Sequence, residues 1–218
     1  MSTQHHPSLE VLEEYAAGGL AEPIALALAV HLSSCAACQA TVERLETIGG
    51  VVLDDVAPAM LDTEAALDRA LESLDQPTTP RVAAPPRGAL PTALTQRMPS
   101  ELADLPWRRI ARGVAEFPLD TNEAGYRAKL LRIQPGAEVP FHTHRGEEYT
   151  VVLSGAFHDA EDLYAQGDFT VADPTVRHRP VATEGDVCFC LAVTDAPLKL
   201  LGPLGRLIDP FLQLRARA

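Results

Sequence analysis

Basic residues are scarce. Only 18 Lys and Arg stand against 30 Asp and Glu, a formal charge of −12 over 218 residues. That balance excludes a surface built to hold DNA or RNA through its phosphates, which needs an excess of cations. It equally excludes docking on an anionic membrane. Long apolar runs are missing too: the longest, Pro23 to Val30, is too short for a bilayer span of about 20 residues. The first twenty residues hold no Lys or Arg but carry Glu10, Glu13 and Glu14, so the basic and apolar regions of a signal peptide are absent. Cysteines number four. Without a secretion signal they point to a reducing cytoplasm, where Cys-x-x-Cys serves metal or redox chemistry and not a disulfide frame.

What is present is length for two compact domains and, at 46% apolar, enough material for a core in each. The acidity is uneven. Residues 1–76 hold thirteen carboxylates against Arg44 and Arg69, a charge of −11, and the other 142 residues carry −1. A solvated acidic face accounts for this by solubility alone. The alternative is steered association with a basic partner.

The first 76 residues read as helices. Leu9, Leu12, Tyr15 and Ala16 fall at helical spacing, with Ser8 as N-cap and Gly18-Gly19 as the stop. Glu22-Pro23 opens a second helix reaching His31, apolar almost all round and so expected at the centre of a bundle. A third is expected from Gln39 to Ile48, closed by Gly49-Gly50, and a fourth from Thr63 to Leu74, with Asp62 as N-cap. The stripe Leu67, Ala70, Leu71, Leu74 on that fourth helix fits a partner's groove or its own bundle. Residues 77–99 are broken by six prolines and read as a semi-extended linker. From 100 to 218 the pattern turns to strands: Tyr126–Ile133, Tyr149–Leu153, Phe169–Ala172 and Val187–Val193, separated by Gly and Pro turns. Such strands make a sandwich or barrel. The apolar tail after Pro197 covers a sheet edge or meets another subunit.

Two residue groups carry chemistry. The first is His31-x3-Cys35-x2-Cys38. Helical geometry keeps these side chains on one face, and one imidazole with two thiolates makes three quarters of a tetrahedral zinc site. His5 and His6 are the nearest candidates for the fourth ligand. A thiol–disulfide pair is the rival reading, although that motif normally follows a strand; two buried cysteines beside an unrelated histidine are the bland one. The second group is Gly136-x5-His142-x-His144-x3-Glu148-x6-Gly155. Alternation along a strand puts His142 and His144 on one side, and Glu148 rejoins that side after the Arg145-Gly146 turn. His178, just after Asp173-Pro174, is the expected fourth ligand. Three imidazoles and a carboxylate suit Zn, Mn, Fe or Ni. Glu147, one position off, faces away. Cys188 and Cys190 share one side of their strand, either as inert core or as a thiol pair facing the metal.

The acidic helical region with an early His and His-x3-Cys-x2-Cys resembles the zinc-binding anti-sigma domain, whose single early ligand is better matched by His6 than by His5. The second group is similar to the first cupin motif. Gly167, Pro174 and His178 match the second motif with a shortened Pro–His gap and Val176 in place of its glycine. Helical domain, linker and cupin in that order resemble the ChrR-type anti-sigma factors. The resemblance implies an α+β chain of two domains: a small zinc-binding helical bundle and a cupin β-barrel. Its site residues would be His6, His31, Cys35 and Cys38 for Zn2+, and His142, His144, Glu148 and His178 for Zn2+ or another divalent metal (Mn, Fe, Ni). It further implies a cytoplasmic protein that sequesters a group IV (extracytoplasmic-function) sigma factor and releases it under oxidative stress, without direct nucleic-acid or membrane contact and without enzymatic activity. The alternatives are a cupin metalloenzyme, such as a dioxygenase with an accessory zinc domain, and a zinc-dependent scaffold for another basic protein.

Overall fold

The computed structural model describes residues 3–57, 63–74, 90–121, 123–160 and 162–201. Ser8 caps α1 (Leu9–Ala16), its hydroxyl accepting the Val11 N–H at 3.4 Å. Then follow α2 (Glu22–Leu32), α3 (Ala36–Asp54) and α4 (Thr63–Leu74). The expected cap of α4, Asp62, lies outside the described residues.

Two expectations about the helices change. α3 starts three residues early because Cys35 serves as its N-cap, its Sγ accepting the Cys38 N–H at 3.4 Å. It also runs through Gly49-Gly50 to Asp54. A helical glycine costs about 1 kcal/mol relative to alanine, which weakens a helix without ending it, and neither glycine takes a positive φ here.

The second change concerns α2. It lies between α3 and the barrel and is not the centre of a helical bundle. Its all-round apolar surface serves two neighbours, one of them a β-sheet. Ala21 offers no side-chain cap at its start; the Glu123 carboxylate, from beyond the linker, accepts the Glu22 N–H at 2.7 Å instead. Arg97 pairs with the Glu22 side chain.

The expected linker is ordered at its far end. α5 (Thr92–Thr95) packs near α2 and buries Leu94 completely. The barrel strands are β1 (Arg108–Ala111), β2 (Val114–Leu119), β3 (Arg127–Ile133), β4 (His142–Thr143), β5 (Glu148–Ser154) and β6 (Ala156–Asp159). They continue with β7 (Asp162–Ala165), β8 (Phe169–Ala172), β9 (Arg177–His178), β10 (Val181–Ala182), β11 (Cys188–Thr194) and β12 (Lys199–Leu200). A six-stranded antiparallel sheet runs β1-β2-β3-β11-β5-β8, and two three-stranded sheets, β10-β6-β7 and β12-β4-β9, complete the barrel. Of the apolar tail, β12 covers the edge of β4; residues after 201 lie outside the described ones.

The large sheet has two apolar faces. In register, Cys190 stands between Leu131 and Val152, and Leu191 between Leu130 and Val151. Alternation sends Val152, Cys188 and Cys190 to the barrel interior with Ile133 and Phe157. Leu130, Val151, Leu153 and Leu191 go to the outer face, in one cluster with Leu28 and its neighbours on α2. That is why β5 and β11 are buried along nearly their whole length. Gly155, at φ 71°, turns β5 into β6 where a Cβ would lie 2.6 Å from the Val187 carbonyl. Leu28 is fully buried in the shared cluster. Leu28→Ala should cost about 3 kcal/mol of unfolding free energy, the usual range for a buried leucine, and chemical denaturation followed by Trp107 fluorescence measures it. Among the described residues no helix is long and apolar enough to cross a membrane.

Candidate metal centres

The first group is built by a short arm and a helix junction. His6 comes from the arm before α1, His31 from the last turn of α2, Cys35 from the cap of α3 and Cys38 from its first turn. One ligand atom from each lies within 4.8 Å of all the others. The His6 Nδ1 is 3.4 Å from both sulfurs. Of the two adjacent histidines only His6 joins this group; the His5 ring packs on Tyr164 at 4.2 Å between centroids. His31 is fully buried, and its Nδ1 donates to the Gly167 carbonyl at 2.7 Å. That fixes the tautomer and leaves Nε2 as a bare acceptor, buried and without a hydrogen-bond partner among the described residues. An orphaned imidazole nitrogen facing two sulfurs and a second imidazole is the arrangement a cation satisfies.

The thiols are unlike each other. Burial raises the Cys35 thiol pKa, but hydrogen bonds from Thr3 and the Cys38 and Ala37 amides outweigh it, and the net pKa is lowered. Cys38 is pushed up to about 12 by burial first, then by its hydrogen bond with Cys35 and that thiolate's charge. The pair by itself thus favours one shared negative charge, and a divalent cation is what makes a second thiolate favourable. Burial lowers the His31 pKa and keeps the ring neutral, its ligating form.

The second group sits in the barrel. β4 pairs with β9 so that His142 directly opposes His178; His144 follows β4, and Glu148 opens β5. These four also offer atoms within 4.8 Å of one another. The His178 Nε2 lies 3.0 Å from the Nε2 of both His142 and His144. His142 Nδ1 donates to the Pro140 carbonyl at 2.7 Å, and His178 Nδ1 to Asp159 at 2.5 Å. Both protons are therefore on Nδ1, and lone pairs face each other across the centre. Facing acceptors repel unless a cation lies between them. Burial, more than any other cause, lowers the pKa of both His142 and His144 to about 4, so both rings are neutral near neutral pH, the form that ligates a metal. The expected turn-away of Glu147 is seen: its carboxylate accepts from the Tyr149 hydroxyl and its amide donates to Asp195 at 2.8 Å.

Cys188 and Cys190 face the barrel interior, with sulfurs 3.6 Å apart. The Cys190 pKa is raised well above its ordinary value by the hydrogen bond with Cys188, by burial and by the charges of Cys188 and Glu148. Since the thiolate is the reactive form, this favours the inert reading of the pair. Sequence reasoning missed Asp159 and Asp168, and it read Gly167 as a motif turn without foreseeing its carbonyl's bond to His31. Asp159 fixes the His178 ring from β6, and no motif spacing points to it. Removing a partner of this kind typically lowers metal affinity about tenfold or more, so Asp159→Ala should weaken divalent-metal binding at this centre by that factor in a competition titration.

The region 95–197 matches a family model described as the ChrR cupin-like domain. The anti-sigma-E factor ChrR of Cereibacter sphaeroides is 40% identical over 217 residues, spanning 98% of this chain and all of that one. In the crystal structure of Rhodobacter sphaeroides SigE in complex with the anti-sigma ChrR, a chain of 39% identity superposes with a TM-score of 0.78, covering 88% of this chain and all of that one. By fold and full-length similarity, the chain belongs to the ChrR family of anti-sigma factors.

Proposed function

We propose that this protein sequesters a group IV sigma factor through its acidic N-terminal helices and releases it when oxidative stress alters the metal shell of the cupin. The carrying observation is the full-length likeness to a protein named an anti-sigma-E factor and to a chain solved in complex with SigE. The surface agrees. Ile48, Val51, Val52 and Leu53 at the end of α3, and Val56 just past it, are each at least 60% exposed, and Leu67, Leu71 and Leu74 of α4 are also open. No residue of α4 is buried, so its apolar stripe does not pack on the N-terminal helices. Apolar rows on a strongly acidic domain fit a protein partner whose own surface is basic and partly apolar.

His6, His31, Cys35 and Cys38 hold Zn2+ in this reading: four protein ligands close a tetrahedral shell, which makes the site structural. His142, His144, Glu148 and His178 hold Zn2+ or another divalent ion, and that ion fixes one arrangement of three segments of the barrel, β4 with its following turn, β5 and β9. The chain acts in the cytoplasm and as a regulator, not as an enzyme. Co-expression with the group IV sigma factors of its own genome, followed by pull-down, tests the reading. A stable complex that keeps sigma from core RNA polymerase is expected; capture of none of them ends the proposal.

A further inference from the structure

The N-terminal metal residues come from the helical part, but the groups that orient them come from the barrel. The arm from Thr3 to Pro7 lies along the turn between β7 and β8. The backbone amides of Gln4 and His5 both donate to one oxygen of Asp168, at 2.7 and 3.1 Å. The Phe169 amide donates to the His5 carbonyl at 3.1 Å. Asp168 is 3% exposed, and its second oxygen accepts the Ala165 amide at 2.9 Å. Its named bonds are thus to backbone amides, two of them from the arm that presents His6. One residue earlier, the Gly167 carbonyl holds His31. Gly167 has φ 91°, and a Cβ there would lie 2.7 Å from both Thr3 and Ser34. Only glycine permits this approach of the two parts.

The same turn joins strands that lead from the cupin residues. β5 begins at Glu148 and reaches Val152, whose carbonyl accepts the Gly167 amide at 2.9 Å and whose amide donates to the Asp168 carbonyl at 3.1 Å. β8 begins at Phe169 and ends at Ala172, opposite Glu148. Four residues of strand, about 13 Å, separate the Glu148 position from the turn.

We propose that the Gly167-Asp168-Phe169 turn is the latch by which the barrel holds the His6 arm and His31 in the N-terminal metal centre, with Asp168 as its positioning residue. The inference rests on the metal-binding reading of His6, His31, Cys35 and Cys38, and it is independent of the partner. Without the Asp168 carboxylate, two amides of the arm lose their acceptor, and beside the metal the arm keeps the bonds of His5 to the Phe169 amide and the Leu163 carbonyl. The latch also gives the cupin a mechanical path to the N-terminal centre, because a shift of β5 or β8 moves the turn.

Cobalt(II) is the probe, since its thiolate charge-transfer absorption reports only the centre containing Cys35 and Cys38. Two variants of the full chain are compared with the unaltered protein. Asp168→Ala removes the acceptor; Gln4→Pro removes one donor from the arm and leaves the barrel sequence intact. In both, EDTA should strip cobalt from the thiolate centre about tenfold faster, in line with the loss of an outer-shell partner. His6→Ala should release it as fast or faster, and adding Asp168→Ala to it should give no further acceleration. Release at the unaltered rate from Gln4→Pro overturns the latch, as does full additivity with His6→Ala. If the unaltered protein shows no thiolate band with cobalt, the metal-binding reading itself fails, a different result from failure of the latch.

Discussion

Cys35→Ser and Cys38→Ser should each cost the protein one bound metal and at least about 100-fold in affinity for its sigma factor, the equivalent of about 2.7 kcal/mol. The choice of serine separates two roles of Cys35. As the N-cap of α3 it accepts the Cys38 amide, and serine is among the best residues at that position. The helix start therefore survives, and what is lost is a thiolate ligand. A structural zinc contributes on the order of 10 kcal/mol to ordering small domains. Here α2 is also packed on the sheet and held by Glu123 and Gly167, so the helical part should loosen rather than unfold. The elements freed are the His6 arm and the start of α3, which fix where α1 and the exposed apolar end of α3 present themselves. Metal analysis by mass spectrometry together with titration against the sigma factor reads both quantities. A variant that has lost its metal but binds sigma as tightly as before would show that the metal does not organise the docking surface.

Both quartets are legible in the sequence because their residues are mostly local. His31, Cys35 and Cys38 span one helix junction, and His142, His144 and Glu148 span one turn between strands consecutive in sequence. Short spacings leave few geometries, so residue type and interval carry the information. His178 is reachable only through the β4–β9 pairing, which spacing hints at without fixing. Illegible are the contacts between the two halves. Asp168 bonds to Gln4 across 164 positions and His31 to Gly167 across 136, distances over which no periodicity speaks. The misplacement of α2 has the same root. An all-round apolar helix announces burial, but not whether helices or a sheet do the burying. Gly49-Gly50 failed as a stop because propensity is a small cost, easily overridden.

His142→Ala and Glu148→Ala should leave sigma capture intact while abolishing its release by oxidants in cells. In the proposed reading, capture depends on the acidic helices and their own candidate metal centre, whose residues are separate from these four. In the same reading, release depends on a coupling free energy between the cupin centre and the docking surface, and typical couplings of about 1–3 kcal/mol change affinity roughly 5- to 150-fold. With Glu148 gone, three imidazoles remain, and the candidate centre loses its only carboxylate and much of its hold on a divalent ion. The barrel should survive, since Ile133, Val152, Phe157 and Cys188 form an interior cluster that does not include Glu148. An oxidant then meets no metal shell to alter, and the strands leading to the Gly167–Phe169 turn receive no change to pass on. The measurement is transcription from a sigma-dependent promoter before and after exposure to singlet oxygen or an organic hydroperoxide. The expected pattern is low transcription in both conditions, with induction falling from several-fold to none. High transcription without stress would place the cupin centre in capture instead of release. Normal induction in both variants would remove it from the signalling path altogether.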